Sequence, residues 1–195
     1  KNLLIGDKPG NRASDEEIKA YEDAKDKMVK TVAELPNTYA IKLANELMKS
    51  DNNNQGRDSM IEIIKGLGLP TPTPSNNTNP RSRSRGEDNI RTRERNSSTD
   101  SSTNVSNLQK ASDILTGITK ENGVKIFEEM PNKDNDTLKA LVNVIIQALK
   151  KTEDTKQIVN ILTEMGNHTT QKDAAAKILT EMGKDTTQKQ AAVKL

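Results

Sequence analysis

Residues 51–62 carry the side chains best suited to chemistry. Asp51, Asn53 and Gln55 occupy alternate places, Gly56 follows, and Glu62 stands twelfth in the run. Oxygen ligands at places 1, 3 and 5, a turn-forming glycine at 6 and a bidentate carboxylate at 12 are what a calcium loop between two helices requires. Two departures weaken the match: place 5 is Gln, and place 8, ordinarily apolar, is Asp58. The competing reading is an Asn-rich loop in which Gly56 turns the chain and Asp58 caps the next helix.

A second group is cationic. Arg81, Arg83, Arg85, Arg91, Arg93 and Arg95 alternate with polar residues. Such a run can neutralise phosphates without reading bases, and no aromatic residue interleaves to stack on them. Three acids dilute it, so any nucleic-acid contact here is expected to be weak. Ser82 and Ser84 lie between arginines, where phosphate groups would cancel the positive charge.

Other chemistry finds few residues to work with. His168 is the only histidine and cysteine is absent, which removes disulfides, thiolate nucleophiles and Cys–metal sites. His168 sits where a duplicated segment carries Asp185, an unusual place for a functional imidazole. No phosphate-cradling glycine motif is present. Tyr21, Tyr39 and Phe127 are the whole aromatic content, so walls for a flat cofactor are lacking. These observations point away from an enzyme and away from a bound cofactor.

The elements that must position these residues read as helices. Ser14–Glu17 has the form of a capping box. Ile18, Tyr21, Ala24, Met28, Val32 and Leu35 then recur at helical spacing until Pro36. A second helix is predicted near 39–48. A third carries Met60, Ile61, Ile63 and Ile64, with Gly66 and Gly68 expected to stop it. Residues 69–105 are rich in Pro, Asn, Ser and Thr and poor in aliphatic side chains, so they are expected to form a disordered linker. Order is predicted to return at a second capping-box pattern, Ser106–Gln109, with short helices near 107–121, 124–130, 137–151, 155–165, 171–182 and 188–195.

The expectation is therefore an all-α chain in three parts: an N-terminal three-helix segment (1–68), a linker (69–105) and a C-terminal helical domain (106–195). The net charge of +2 is unevenly spread. Residues 76–96 hold six arginines and three acids, while the flanking parts are close to neutral. No apolar run reaches the roughly 18 residues that span a bilayer, so membrane insertion is not expected. A cytoplasmic location is favoured.

The most specific feature is an internal duplication. Residues 161–177, ILTEMGNHTTQKDAAAK, and 178–194, ILTEMGKDTTQKQAAVK, match at 13 of 17 positions without a gap. A degenerate copy, IFEEMPNKDNDTLKA, begins at Ile126. In one unit, Thr169 or Thr170 can cap a helix start. Ala174, Ala175, Ile178, Leu179 and Met182 form a stripe, and Gly183 is expected to end the helix in a left-handed conformation. One helix of about three turns cannot bury its stripe alone, so stacked units, an α-solenoid-like domain, are expected.

The segments IFEEMPNKD (126–134), AAAKILTEMGKD (174–185) and AAVKL (191–195) resemble the short-helix repeats of the MgtE N-terminal domain, of MotE, and of the FliG middle domain. The resemblance covers residues 124–195. It implies a repeat fold and a habit of binding protein partners, and nothing about transport.

On this reading the chain is a non-enzymatic interaction or scaffold protein. It would bind another protein or itself through the C-terminal units, with Ala191, Ala192 and Leu195 as the contact residues. Two alternatives remain: a nucleic-acid-associated structural protein, viral or chromosomal, using the arginine-rich linker, and a secreted or surface repeat antigen.

Overall fold

Ser14 closes a complete capping box at the first helix. Its hydroxyl accepts the Glu17 N–H at 3.3 Å, and Glu17 Oε2 accepts the Ser14 N–H at 2.9 Å. Asp15, Glu16 and Glu17 add negative charge to the positive end of the helix dipole. The helix that follows is α1 (Asp15–Glu34) in a computed structural model that describes residues 9–10, 12–49, 54–69 and 99–184, with side chains of the last span from Asn104 onward. The other described helices are α2 (Asn37–Lys49), α3 (Gln55–Gly68), α4 (Thr99–Gly117), α5 (Lys120–Lys133), α6 (Asn135–Ala148), α7 (Thr152–Asn167) and α8 (Lys172–Met182). The chain is all-α. No described helix is long and apolar enough to cross a membrane.

α6 is the centre. Leu138, Leu141, Val142, Val144, Ile145 and Ala148 are buried around nearly its whole circumference, because α3, α4, α5, α7 and α8 all pack on it. α5 in turn meets α6, α7 and α8. In a strict one-dimensional stack each unit touches only its sequence neighbours. Here the helices gather around α5 and α6 instead.

The parts read from the sequence as separate, 1–68 and 106–195, share this core. One apolar cluster runs from Met28 in α1 to Met182 in α8. Lys65 on α3 pairs with Asp134 at 2.9 Å, Asn143 Nδ2 on α6 donates to the Gly68 carbonyl at 3.1 Å, and Asn37 on α2 donates to Asp113 on α4 at 2.5 Å. The aliphatic faces of α2 and α3 are buried because α4 and α6 cover them.

Of the two glycines expected to stop α3, Gly68 is its last residue and Gly66 lies inside it, and both are contact points. Gly66 lies inside α3, where a Cβ would come within 2.6 Å of the Val29 side chain on α1. A Cβ at Gly68 would sit 2.8 Å from the Ala140 carbonyl oxygen on α6. Gly183 adopts ordinary right-handed geometry at φ −77°, not a left-handed cap. α8 starts from Gln171 with no side-chain cap bond, so neither Thr169 nor Thr170 serves as its N-cap. α4 begins at Thr99, which places the Ser106–Gln109 pattern inside a helix. α5 continues through Pro131 to Lys133. The stripe expected along α1 is buried only at Met28 and Val32; Tyr21 is partly buried against the core, and Ile18, near the start of the helix, is 45% exposed.

Six helices share one arrangement: an isoleucine, a second apolar residue, and an apolar residue four places after the first. It reads Ile63-Ile64 with Leu67 in α3, and Ile114-Leu115 with Ile118 following α4. In α5 it is Ile126-Phe127 with Met130, and in α6 Ile145-Ile146 with Leu149. α7 has Ile161-Leu162 with Met165, and α8 has Ile178-Leu179 with Met182. The leading isoleucine and the residue four places on are buried in every case, since i and i+4 share a helix face.

Candidate interaction surface

The calcium-loop ligands are not brought together by the described residues. α3 already begins at Gln55, so Gln55 and Glu62 lie two turns apart on one straight helix, about 10 Å along its axis. A loop that coils around a cation needs those places to converge. Glu62 faces Lys25 of α1 at 3.5 Å, and Lys25 also holds Glu22 at 2.5 Å. Asn54, with φ at 59°, turns the chain. Gly56 serves the approach of α2, since a Cβ there would fall 1.8 Å from the Leu47 carbonyl oxygen. Asp58 lies in the first turn of α3 and pairs with Lys133. Asp51 and Asn53 lie outside the described residues, among which no cluster of three His, Asp or Glu side chains is placed to hold a metal ion.

Arg81, Arg83, Arg85, Arg91, Arg93 and Arg95 lie outside the described residues, as do Ala191, Ala192 and Leu195. His168 is the C-cap of α7. Its Nε2 is 3.4 Å from Glu164 Oε1, and Glu164 also pairs with Lys120 at 2.7 Å. This is a surface cluster linking α5 and α7.

The densest group of charges is a seam that pins α3 to α5 and α6. Arg57 Nε lies 2.5 Å from Glu129. Lys133 bridges Asp58 and Glu129, the latter at 3.2 Å. Burial would lower the Lys133 pKa, but those two carboxylates outweigh it and raise it. Asp134 caps α6, accepting the Thr137 N–H at 2.7 Å and the Thr137 hydroxyl at 2.8 Å while it holds Lys65. Burial alone would raise the Asp134 pKa. The Thr137 N–H, the Lys65 ammonium and the Thr137 hydroxyl reverse that and bring it down to about 2. In this seam Arg57, Asp58, Lys65, Glu129, Lys133 and Asp134 each meet an opposite charge, and the arrangement joins helices.

A second polar seam joins α2, α4 and α6. Asp113 accepts from Asn37 and, at 2.7 Å each, from Gln109 and Lys151. Gln109 accepts from Gln147 at 2.6 Å. These side chains satisfy one another and fix the same helices.

Surface character differs among the helices at the second residue of the shared apolar pair. Ile64, Leu115 and Phe127 are all 0% exposed. Ile146 and Leu162 are partly buried against the core. Leu179 on α8 is 43% exposed. The 17-residue offset of the duplication, carried three residues back along α7, sharpens the contrast. Ile158 and Ala175, Ile161 and Ile178, and Met165 and Met182 are buried in both copies. Val159 and Leu162 are half-buried on α7, whereas their counterparts Ala176 and Leu179 stand exposed on α8. α8 thus presents a second apolar strip that its sister helix covers. The three-residue pattern in α3, α4 and α6 escaped the sequence reading. Its signal was the Ile–apolar pair followed by an apolar residue at i+4, without the Thr-Glu-Met that makes the tandem copies conspicuous.

Comparison of the chain with protein-family models, with curated proteins and with solved structures gives no match.

Proposed function

We propose that the chain is a non-enzymatic protein–protein interaction or scaffold protein whose working surface lies at the α8 end of its repeated short helices. The observation that carries this reading is Leu179. The same position of the shared pattern is fully buried in α3, α4 and α5, half-buried in α6 and α7, and 43% exposed in α8. An apolar strip left open on the last described helix, at positions that neighbouring helices cover elsewhere in the fold, is exposed apolar surface at which a partner would dock. The likeness of residues 124–195 to partner-binding short-helix domains points the same way. Ala191, Ala192 and Leu195 continue the sequence pattern of Ala174, Ala175 and Ile178 and belong to the proposed contact region.

Sedimentation velocity over a concentration series tests the proposal. The chain is expected to associate reversibly with itself. The association should be unchanged by added salt, since the contact is apolar, and weakened about tenfold by Leu179→Lys, an energy of roughly 1.4 kcal/mol. A monomeric chain that instead binds nucleic acid with an affinity falling steeply as salt rises would favour the arginine-rich segment as the working part.

A further inference from the structure

The open strip on α8 is longer than its two apolar residues. Lys172, Ala176, Leu179 and Gly183 are spaced by four, three and four, the spacing at which residues of one helix line a seam with another. Lys172 and Ala176 are exposed, Leu179 is 43% exposed, and Gly183 is half-buried. Gly183 keeps right-handed geometry, so it continues the seam past Met182. A Cβ at Gly183 would meet only the Thr180 and Leu179 carbonyl oxygens, at 3.4 and 3.5 Å, so no other described helix lies over it.

The spacing reads the same in both directions, but the side-chain sizes do not. A long side chain stands at one end and none at the other; between them a methyl is followed by an isobutyl group. Turned end for end, the strip therefore fits itself. An antiparallel copy sets Leu179 over the small Ala176 and Lys172 over the bare Gly183. Lys172 then lies at the negative, C-terminal end of the opposing helix, where a cation is favourable. A parallel copy sets Lys172 against Lys172 and Leu179 against Leu179, which joins like charges and leaves a gap between the alanines.

We infer that the occupant of the strip is a second copy of this chain, with the two α8 helices antiparallel about a two-fold axis passing between positions 177 and 178. This rests on the reading of the strip as the working surface. Lys177, the charge nearest the axis, is held at 2.6 Å by Asn132 of its own α5. Both copies use the same patch, so the contact closes at two chains and builds no filament. One strip of an 11-residue helix offers far less than the roughly 800 Å² per partner of a standard interface, so the pairing is reversible.

The chain has no cysteine, so introduced thiols report the register. Two full chains are made, one with Lys172→Cys and one with Gly183→Cys, and both keep Ala176 and Leu179. They are mixed in equal amounts at a concentration where the wild type associates, and treated with a mild thiol oxidant. The two substitutions change the mass differently, so intact-mass analysis separates mixed from like disulfides. In the antiparallel pair positions 172 and 183 face each other, whereas like positions lie about 16 Å apart along the axis, beyond the reach of a disulfide. Mixed disulfides should outnumber each like disulfide by about tenfold, as effective concentration requires. Like disulfides in excess mean parallel pairing and overturn the inference. A statistical mixture also overturns it, since no register is then fixed, and so does sedimentation beyond twice the chain mass. In these three cases an association that Leu179→Lys still weakens leaves the strip as a docking surface. A chain that stays monomeric, or whose association ignores Leu179→Lys, overturns the inference and the docking reading together.

Discussion

At the scale of single residues, Asp134 joins two elements with one carboxylate: it caps α6 and holds Lys65 of α3. Its pKa falls from an ordinary 3.8 to about 2 on folding. A depressed carboxylate stabilises the fold fully above the unfolded value and loses that contribution as pH falls through the folded value. The relevant window is therefore between about pH 4 and pH 2. The side chain is half exposed, so screening reduces the contribution to about 1 kcal/mol. Asp134→Asn keeps a competent N-cap and removes the charge, whereas Asp134→Ala removes both and costs about 1 kcal/mol more. Thermal melts from pH 6 to pH 2 should show Asp134→Asn flatter than wild type across the window; parallel curves would mean that the carboxylate is not ionically engaged. Glycines offer a second residue-scale test. Gly56→Ala forces a methyl into the Leu47 carbonyl and should cost about 3 kcal/mol as an overpacked contact. Gly166→Ala meets no atom within 4 Å and should stabilise α7 by about 0.5 kcal/mol through helix propensity.

At the scale of elements, two adjacent residues of α8 should behave oppositely. Ile178 is buried and Leu179 stands out, so Ile178→Ala should cost about 2–5 kcal/mol, while Leu179→Ala should change stability by less than about 1 kcal/mol. Urea unfolding of the two variants decides it, and equal midpoints would mean that the strip on α8 is part of the core. Helix existence was legible in the sequence wherever apolar residues recurred at three and four places, as in α2, α7 and α8. The boundaries followed where a cap was chemically explicit, as at Ser14. They failed where a residue type has two uses. Gly66 and Gly68 are both common helix terminators, yet only Gly68 ends α3, while Gly66 lies inside it and admits α1, and nothing within α3 says which. The Ser106–Gln109 pattern has capping-box chemistry but lies within α4, where hydroxyl and amide side chains face outward or sideways without ending the helix. The candidate strip was only half readable: the duplication named Leu179 as a stripe residue, but its exposure depends on which helices gather around α5 and α6.

At the scale of the whole molecule, the question is whether the chain folds as two units or one. Composition argues for two, because the polar, arginine-bearing stretch separates two helical regions. Packing argues for one. Ile61, Ile64 and Leu67 of α3 are buried in the cluster that also contains Leu141, Val144 and Ile145 of α6, and α3 is covered on different sides by α1, α2, α4 and α6. Full burial of each such aliphatic side chain is worth about 1.5–3 kcal/mol, and a small domain has only about 5–15 kcal/mol of net stability. Removing α4 and α6 would uncover several of these side chains at once, which exceeds what α1–α3 can hold alone. The salt seam from Arg57 to Asp134 would break with them. Polypeptides 1–69 and 99–195, made separately, are therefore expected to differ from the intact chain: residues 1–69 alone should lack a cooperative thermal transition. Mixed at equal concentration, the two should recover one, with a midpoint that rises with concentration because refolding is now bimolecular. Two independent, concentration-insensitive transitions would instead mean that each part is a domain and that the contacts between α3 and α6 contribute little. Adding Lys65→Ala to the mixture sharpens the outcome. If the shared core drives assembly, losing one half-exposed ion pair should lower the midpoint only slightly, whereas Ile64→Ala should prevent reassembly altogether.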